Sequence, residues 1–116
     1  YTRSLPDALP ISLNSASDAG NRWIFPEQLV DGVEPWGGVK QVWAAGSPDA
    51  NHAVDTTATF DRGVESLKAN KAYIDGLGWE NFDPAEMLEG GSRPAGSRLG
   101  VTHAATFEVF SMTWGE

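Results

Sequence analysis

This sequence carries both helix and strand signals and so predicts a mixed chain of helices and strands, and three observations carry that expectation. Between Thr57 and Ile74 the apolar residues Phe60, Val64, Leu67 and Ile74 fall at i, i+4, i+7 and i+14, one stripe of an amphipathic helix with Lys71 as its gap. The segment VKQVWAA, Val39 to Ala45, alternates apolar and polar before turning wholly apolar, as a strand does. The segment VTHAATFEVFSMTW, Val101 to Trp114, is β-branched and aromatic and reads as a terminal strand, with Phe107, Val109 and Ser111 on one side.

Taken in order, the first twelve residues carry Pro6 and Pro10 and no periodic apolar face, so they predict neither helix nor strand. Leu13 to Asn21 reads as a polar loop or as the frayed end of a helix begun upstream. From Trp23 an apolar cluster turns at Pro26 and permits one helical turn through Glu27 to Val30, which Gly32 ends. After the strand of Val39 to Ala45, GSPDAN is a turn and HAVDT a second short strand. Thr57 is placed to cap the amphipathic helix, Asp61 suits the positive end of its dipole, and Lys68 and Lys71 suit the negative end. DGLGWENFDP is a loop. Asp83 then caps a second helix with Pro84 at its first position, and Gly90 and Gly91 are expected to end that helix early.

The 116 residues suffice for one small domain and are too few for two ordinary ones. Apolar residues make up 41%, and five Trp and five Phe supply large burial units, so the chain is globular in composition. A net charge of −8 repels phosphates and lacks the cations that displace their counterions, which excludes nucleic acid as a partner and disfavours anionic membrane surfaces. No apolar run approaches roughly 18 residues, so no membrane insertion is expected. The absence of cysteine excludes disulfides, thiolate metal sites and a cysteine nucleophile, and suits a cytoplasmic protein.

Little in the residues alone announces chemistry. His52 and His103 stand fifty positions apart, outside any ligand spacing, and each reads as a surface or core-edge histidine. Asp55 and Asp61 can be drawn as a carboxylate pair, but capping and solvation account for both. No nucleophile elbow, Walker-type loop or dinucleotide fingerprint occurs. Of the tryptophans, Trp43 on its strand is expected in the core, whereas Trp36 and Trp79, in loops, keep a role in stacking a ligand.

The stretch from Trp23 to Ile74 resembles the C-terminal part of the PIG-L (LmbE-like) family of metal-dependent N-deacetylases. The matching residues are Phe25-Pro26-Glu27, Gly32-Val33-Glu34-Pro35, Val39 through Trp43, Val54-Asp55-Thr56 and Thr59-Phe60-Asp61-Arg62, in the family's order and spacing. The tail from Asp83 to Phe110 is in keeping with the family's last helix and final segment. Departures are Trp36-Gly37-Gly38, where histidine and lysine are commoner, and Asn70, where histidine is usual; they suggest a subfamily. The resemblance implies a Rossmann-like α/β fold with a mainly parallel sheet and packing helices, and hydrolysis of an N-acetyl group from an amino sugar or glycoconjugate. It also implies zinc, held by a His-Pro-Asp-Asp motif and a later histidine, with a metal-bound hydroxide as the chemistry the ion supplies. Both motifs belong upstream of the matched region. Ser47-Pro48-Asp49-Ala50 is only a decoy for the first, so no residue here is carried over as a catalytic group or metal ligand and no zinc is expected on this chain alone. Phe25, Glu27, Trp36 and Trp79 are the candidates for the rim of the substrate cleft. A different class, a stand-alone glycan- or protein-binding module presenting Trp36 and Trp79, fits the same composition.

The expected organisation is therefore a leader over residues 1–12 and the C-terminal portion of one deacetylase domain over residues 13–116. Residues 1–11 resemble the in-frame translation of a common sequencing adapter, departing from it at Arg3 and Pro6, which makes the leader an expected artefact of assembly.

Overall fold

A computed structural model describes residues 5–113 apart from Asp31, with side chains described from Ala8 onward. Tyr1 to Ser4 of the leader and the expected strand end at Trp114 lie outside the described residues. Among the described residues four α-helices, α1 (Leu5–Asp18), α2 (Phe60–Ala69), α3 (Lys71–Gly76) and α4 (Pro84–Leu99), accompany three strands, β1 (Gln41–Ala45), β2 (His52–Asp55) and β3 (Ala104–Ser111). The class is mixed α/β, with one sheet in the order β1-β3-β2.

The described sheet is antiparallel, which corrects the expectation of a mainly parallel one. β1 pairs with β3 in the register Gln41↔Ser111 to Ala45↔Phe107, and Thr56 at the end of β2 donates its N–H to the His103 carbonyl at 2.9 Å. The physical reason lies in the connections. Parallel neighbours need a crossover of about a dozen residues or more. Only residues 46–51 separate β1 from β2, and β3 stands between them in the sheet.

The chain forms two compact units, one of Tyr1–Asn51 with Phe107–Glu116 and one of His52–Thr106. In the first, α1 packs on β1. That helix corrects the expectation of an unstructured leader. Pro6 falls in the first turn, where backbone N–H groups have no intrahelical partner anyway, so only Pro10 removes a bond. Leu9, Leu13 and Ala16, spaced i, i+4, i+7, form a half-buried stripe. The predicted turn at Glu27 to Val30 is a 3₁₀ turn over Pro26–Gln28. Trp43, expected in the core, is 44% exposed; its ring meets Phe107 edge-on at 5.4 Å, and its Nε1 donates to Gln41 Oε1 at 3.1 Å.

In the second unit α4 packs on both α2 and β2, and Val64, Ala95, His103 and Ala104 are buried. The helix expected from Thr57 to Ile74 is a 3₁₀ turn over Thr57–Thr59, then α2, then α3. The break falls at Asn70, whose ψ of 38° leaves the helical range and whose Nδ2 donates to the Ser66 carbonyl at 3.0 Å. An Asn side chain that competes for helical acceptors weakens the helix at its own position. Thr57 does not cap the helix; its hydroxyl instead accepts the His103 N–H at 3.1 Å.

α4 starts as expected, with Asp83 Oδ1 accepting the Ala85 N–H at 2.8 Å and Pro84 in the first turn. It then passes through Gly90, Gly91 and Pro94 to Leu99, and Gly100 ends it at φ 82°. Each glycine costs about 1 kcal/mol of helix propensity. Burial of Ala95 and Gly96 offsets that cost, because a side chain at Gly96 would meet the Thr102 carbonyl oxygen at 2.5 Å and only hydrogen fits.

Two substitutions in α4 should therefore have opposite signs. Gly96→Ala is expected to destabilise by about 1–3 kcal/mol through overpacking. Gly90→Ala, whose added methyl meets nothing within 4 Å, should stabilise by about 0.5–1 kcal/mol. Urea denaturation of both variants checks this, and a shared sign would sink the packing account of α4.

Candidate functional site

Two places gather chemistry-bearing groups, one in each unit. In the first unit a hollow of about 510 Å³ is formed where the loop of residues 21–36 folds over the end of α1. Two close approaches build it. Gly20 and Gly37 come so near that a Cβ on Gly20 would lie 2.9 Å from Gly37 Cα, and beside them Trp36 donates its N–H to the Ala19 carbonyl at 2.8 Å. The Trp36 indole lies over Gly38, where any Cβ would overlap the ring. Within Trp36-Gly37-Gly38, Gly38 admits the indole, whereas a Cβ on Gly37 would make only an ordinary 3.7 Å contact; the close approach of the helix end rests on Gly20.

Phe25 lines the same hollow from a left-handed backbone, φ 54° and ψ 52°. That conformation costs about 1–3 kcal/mol in a residue bearing a large side chain, and such strain clusters at ligand clamps. Phe25 and Trp36 remain 52% and 65% exposed. Of the four expected cleft-rim residues, the structure brings these two together. Glu27 is exposed and does not line the hollow. Trp79 belongs to the other unit, where its ring packs on Phe82 at 5.3 Å.

The second place is a polar cluster around His103. Its ring is buried, stacked on Phe60 with centroids 4.0 Å apart, and its Nε2 meets Glu89 Oε1 at 3.0 Å. Glu89 also takes both Nε and Nη2 of Arg93, the latter at 2.9 Å to Oε1. Hydrogen bonds from Arg93, then from His103, hold the Glu89 carboxyl down at about 2, and Glu89 in turn raises the Arg93 guanidinium. His103 Nδ1 is buried without a hydrogen-bond partner. Sequence reading placed His103 at a surface or core edge and missed its partner. The i, i+4 spacing of Glu89 and Arg93 is legible in the sequence; Glu89 lies on α4 and His103 just before β3, and periodicity within one element relates no pair of residues on different elements.

The remaining candidates resolve into structural roles. Asp55 Oδ1 accepts the Thr57 N–H at 2.9 Å, and this bond, followed by one from the Thr57 side chain, lowers its carboxyl below the ordinary range. Asp61 stands in the first turn of α2. His52 lies exposed on β2. Ser47 of the decoy segment is buried, donates to Glu108 Oε2 at 2.5 Å and accepts the Asp49 N–H at 3.2 Å, which makes that segment a turn clasp. Among the described residues no group of three or more His, Cys, Asp or Glu can hold a metal ion. They do not fit a zinc site. Among the same residues no helix is long and apolar enough to cross a membrane.

The Glu89 cluster makes stability depend on pH. Its folded-state value lies below the ordinary 4.5, so the carboxylate stabilises the fold fully above pH 4.5 and loses that contribution as pH falls toward about 2. Glu89→Gln should lower the urea midpoint most at neutral pH, and the gap to the parent should close on acidification. A gap that does not change with pH would show that the charge contributes nothing. Comparison with protein-family models found no match for the chain, and comparison with curated proteins found none either.

Proposed function

We propose that this chain is the C-terminal portion of a PIG-L (LmbE-like) metal-dependent N-deacetylase, which hydrolyses an N-acetyl group from an amino sugar or glycoconjugate. The observation that carries the proposal is the order and spacing of Phe25-Pro26-Glu27, Gly32-Val33-Glu34-Pro35, Val54-Asp55-Thr56 and Thr59-Phe60-Asp61-Arg62 over about fifty residues. The matched segments also occupy structural positions that suit retention. Val54 and Asp55 close β2, the Asp55 carboxylate receives the Thr57 N–H, and Phe60 opens α2 against His103.

In this proposal the three antiparallel strands form one end of a mainly parallel sheet, whose other strands and zinc ligands belong to the catalytic half. Phe25 and Trp36 stand at the rim of the substrate cleft. This chain contributes packing and rim surface, and the hydrolytic groups come from upstream. A second proposal, a non-enzymatic glycan- or protein-binding module, is favoured by the exposure of Trp36 at 65% and Trp79 at 54%.

The genomic DNA before the codon for Leu13 separates the two. A continuous reading frame encoding a strand followed by His-Pro-Asp-Asp is the expected result. A start codon with a ribosome-binding site at that point would overturn the deacetylase assignment in favour of the module. The purified 116-residue chain is also expected to bind no zinc stoichiometrically in a metal titration, and tight one-to-one binding would overturn the assignment of the ligands to an upstream half.

A further inference from the structure

We infer that the hollow between the end of α1 and the loop of residues 21–36 is a binding site for a small organic ammonium ion with an apolar body. Three independent features of its wall select that charge and shape. Two carboxylate residues, Asp18 and Glu34, line it, and no Lys, Arg or His is among the described lining residues. The C-terminal end of α1 contributes Ser15 and Asp18 to the wall, and the last turn of that helix holds no basic residue, so no side-chain cation of that turn offsets the negative pole of its dipole. Trp36 and Phe25 are aromatic members of the wall, and an aromatic ring attracts a cation placed over its face.

The rest of the wall sets the body of the ligand. Ile24, Leu29, Val33 and Pro35 are apolar, so the part of the ligand that carries the charge inward is itself apolar or ring-shaped. The volume of about 510 Å³ lies within the roughly 300–1,000 Å³ range of small-molecule sites. A neutral ligand of the same shape gains the apolar contacts only. An anion meets two carboxylates and a helix C-terminus of its own sign. The inference shares Phe25 and Trp36 with the proposed cleft rim but depends on no residue of a catalytic half, so its binding test can fail without deciding the deacetylase proposal.

Titration of the ¹⁵N-labelled chain at pH 7 and constant ionic strength tests it, with benzylammonium and its neutral counterpart benzyl alcohol as probes. Benzylammonium is expected to shift the amides of Ala19, Phe25 and Trp36 saturably, and benzyl alcohol to bind about tenfold more weakly or worse, the worth of two partly screened charge contacts. The double variant Asp18→Asn with Glu34→Gln, isosteric at both positions, should bring benzylammonium down to the level of the alcohol. Equal affinity for the two probes, an unchanged affinity in the double variant, shifts confined to residues 52–106, or no saturable shift would each overturn the inference.

Discussion

His103 is the residue on which the second unit depends. It is buried in a core whose other buried members, Val64, Ala95 and Ala104, are small. Ala104, at 1% exposed, is the most deeply covered of them, and Val64 at 6% is the largest. A core of that kind gains little from apolar burial, because each buried methyl-sized group contributes only about 1 kcal/mol. The imidazole supplies what aliphatic residues do not, by holding three elements at once. Its face stacks on Phe60 of α2, its Nε2 joins Glu89 of α4, and its backbone exchanges bonds with Thr56 and Thr57 after β2. A buried polar network of this sort tolerates few alternative arrangements, since any shift leaves a polar group unpaired in low dielectric. It therefore specifies register and helix position more sharply than the small apolar contacts around it.

The first unit is organised by a different constraint, the close passage of backbone past backbone. Gly20 allows the loop at Gly37 to lie against the end of α1, and Gly38 leaves room for the Trp36 indole. The hollow follows from these contacts. Its wall takes one carboxylate from the helix end, another from the loop, and aromatic rings from either side of the proline-bearing turn. Exposed apolar side chains, Trp23 at 83% and Trp36 at 65% among them, concentrate in the same loop. Contiguous exposure of this kind marks surfaces that meet a ligand or another surface.

Local signals in the sequence were read well where the controlling physics is local. β1 follows from alternation in VKQVWAA, β2 from the short run HAVDT after the turn GSPDAN, and the start of α4 from Asp83 and Pro84, whose capping bond spans two residues. Loop placement singles out Trp36 and Trp79 as candidate ligand contacts, with Phe25 and Glu27 beside them at the expected cleft rim, and the structure brings Phe25 and Trp36 to one hollow. The errors have physical causes of another range. Glycines at 90 and 91 were read as a stop, but packing of Ala95 and Gly96 on the residues after the helix carries α4 past them. Asn70 was read as interior to a helix that its own side chain interrupts. Trp43 has the hydropathy of a core residue and lies on a strand face left 44% exposed. Pro6 and Pro10 were read as barring a helix, although the first falls where no backbone bond is lost.

By itself the sequence determined the class, the positions of the short strands, the capped start of α4 and the acidic surface, because each depends on residue type and on neighbours within about one turn. Only the tertiary structure decided that the strands pair antiparallel, that Glu89 meets His103, and that Asp18 and Glu34 share a wall with Phe25 and Trp36. Those facts depend on which distant segments approach one another. Periodicity encodes which face of an element is apolar; it does not encode which partner that face will find.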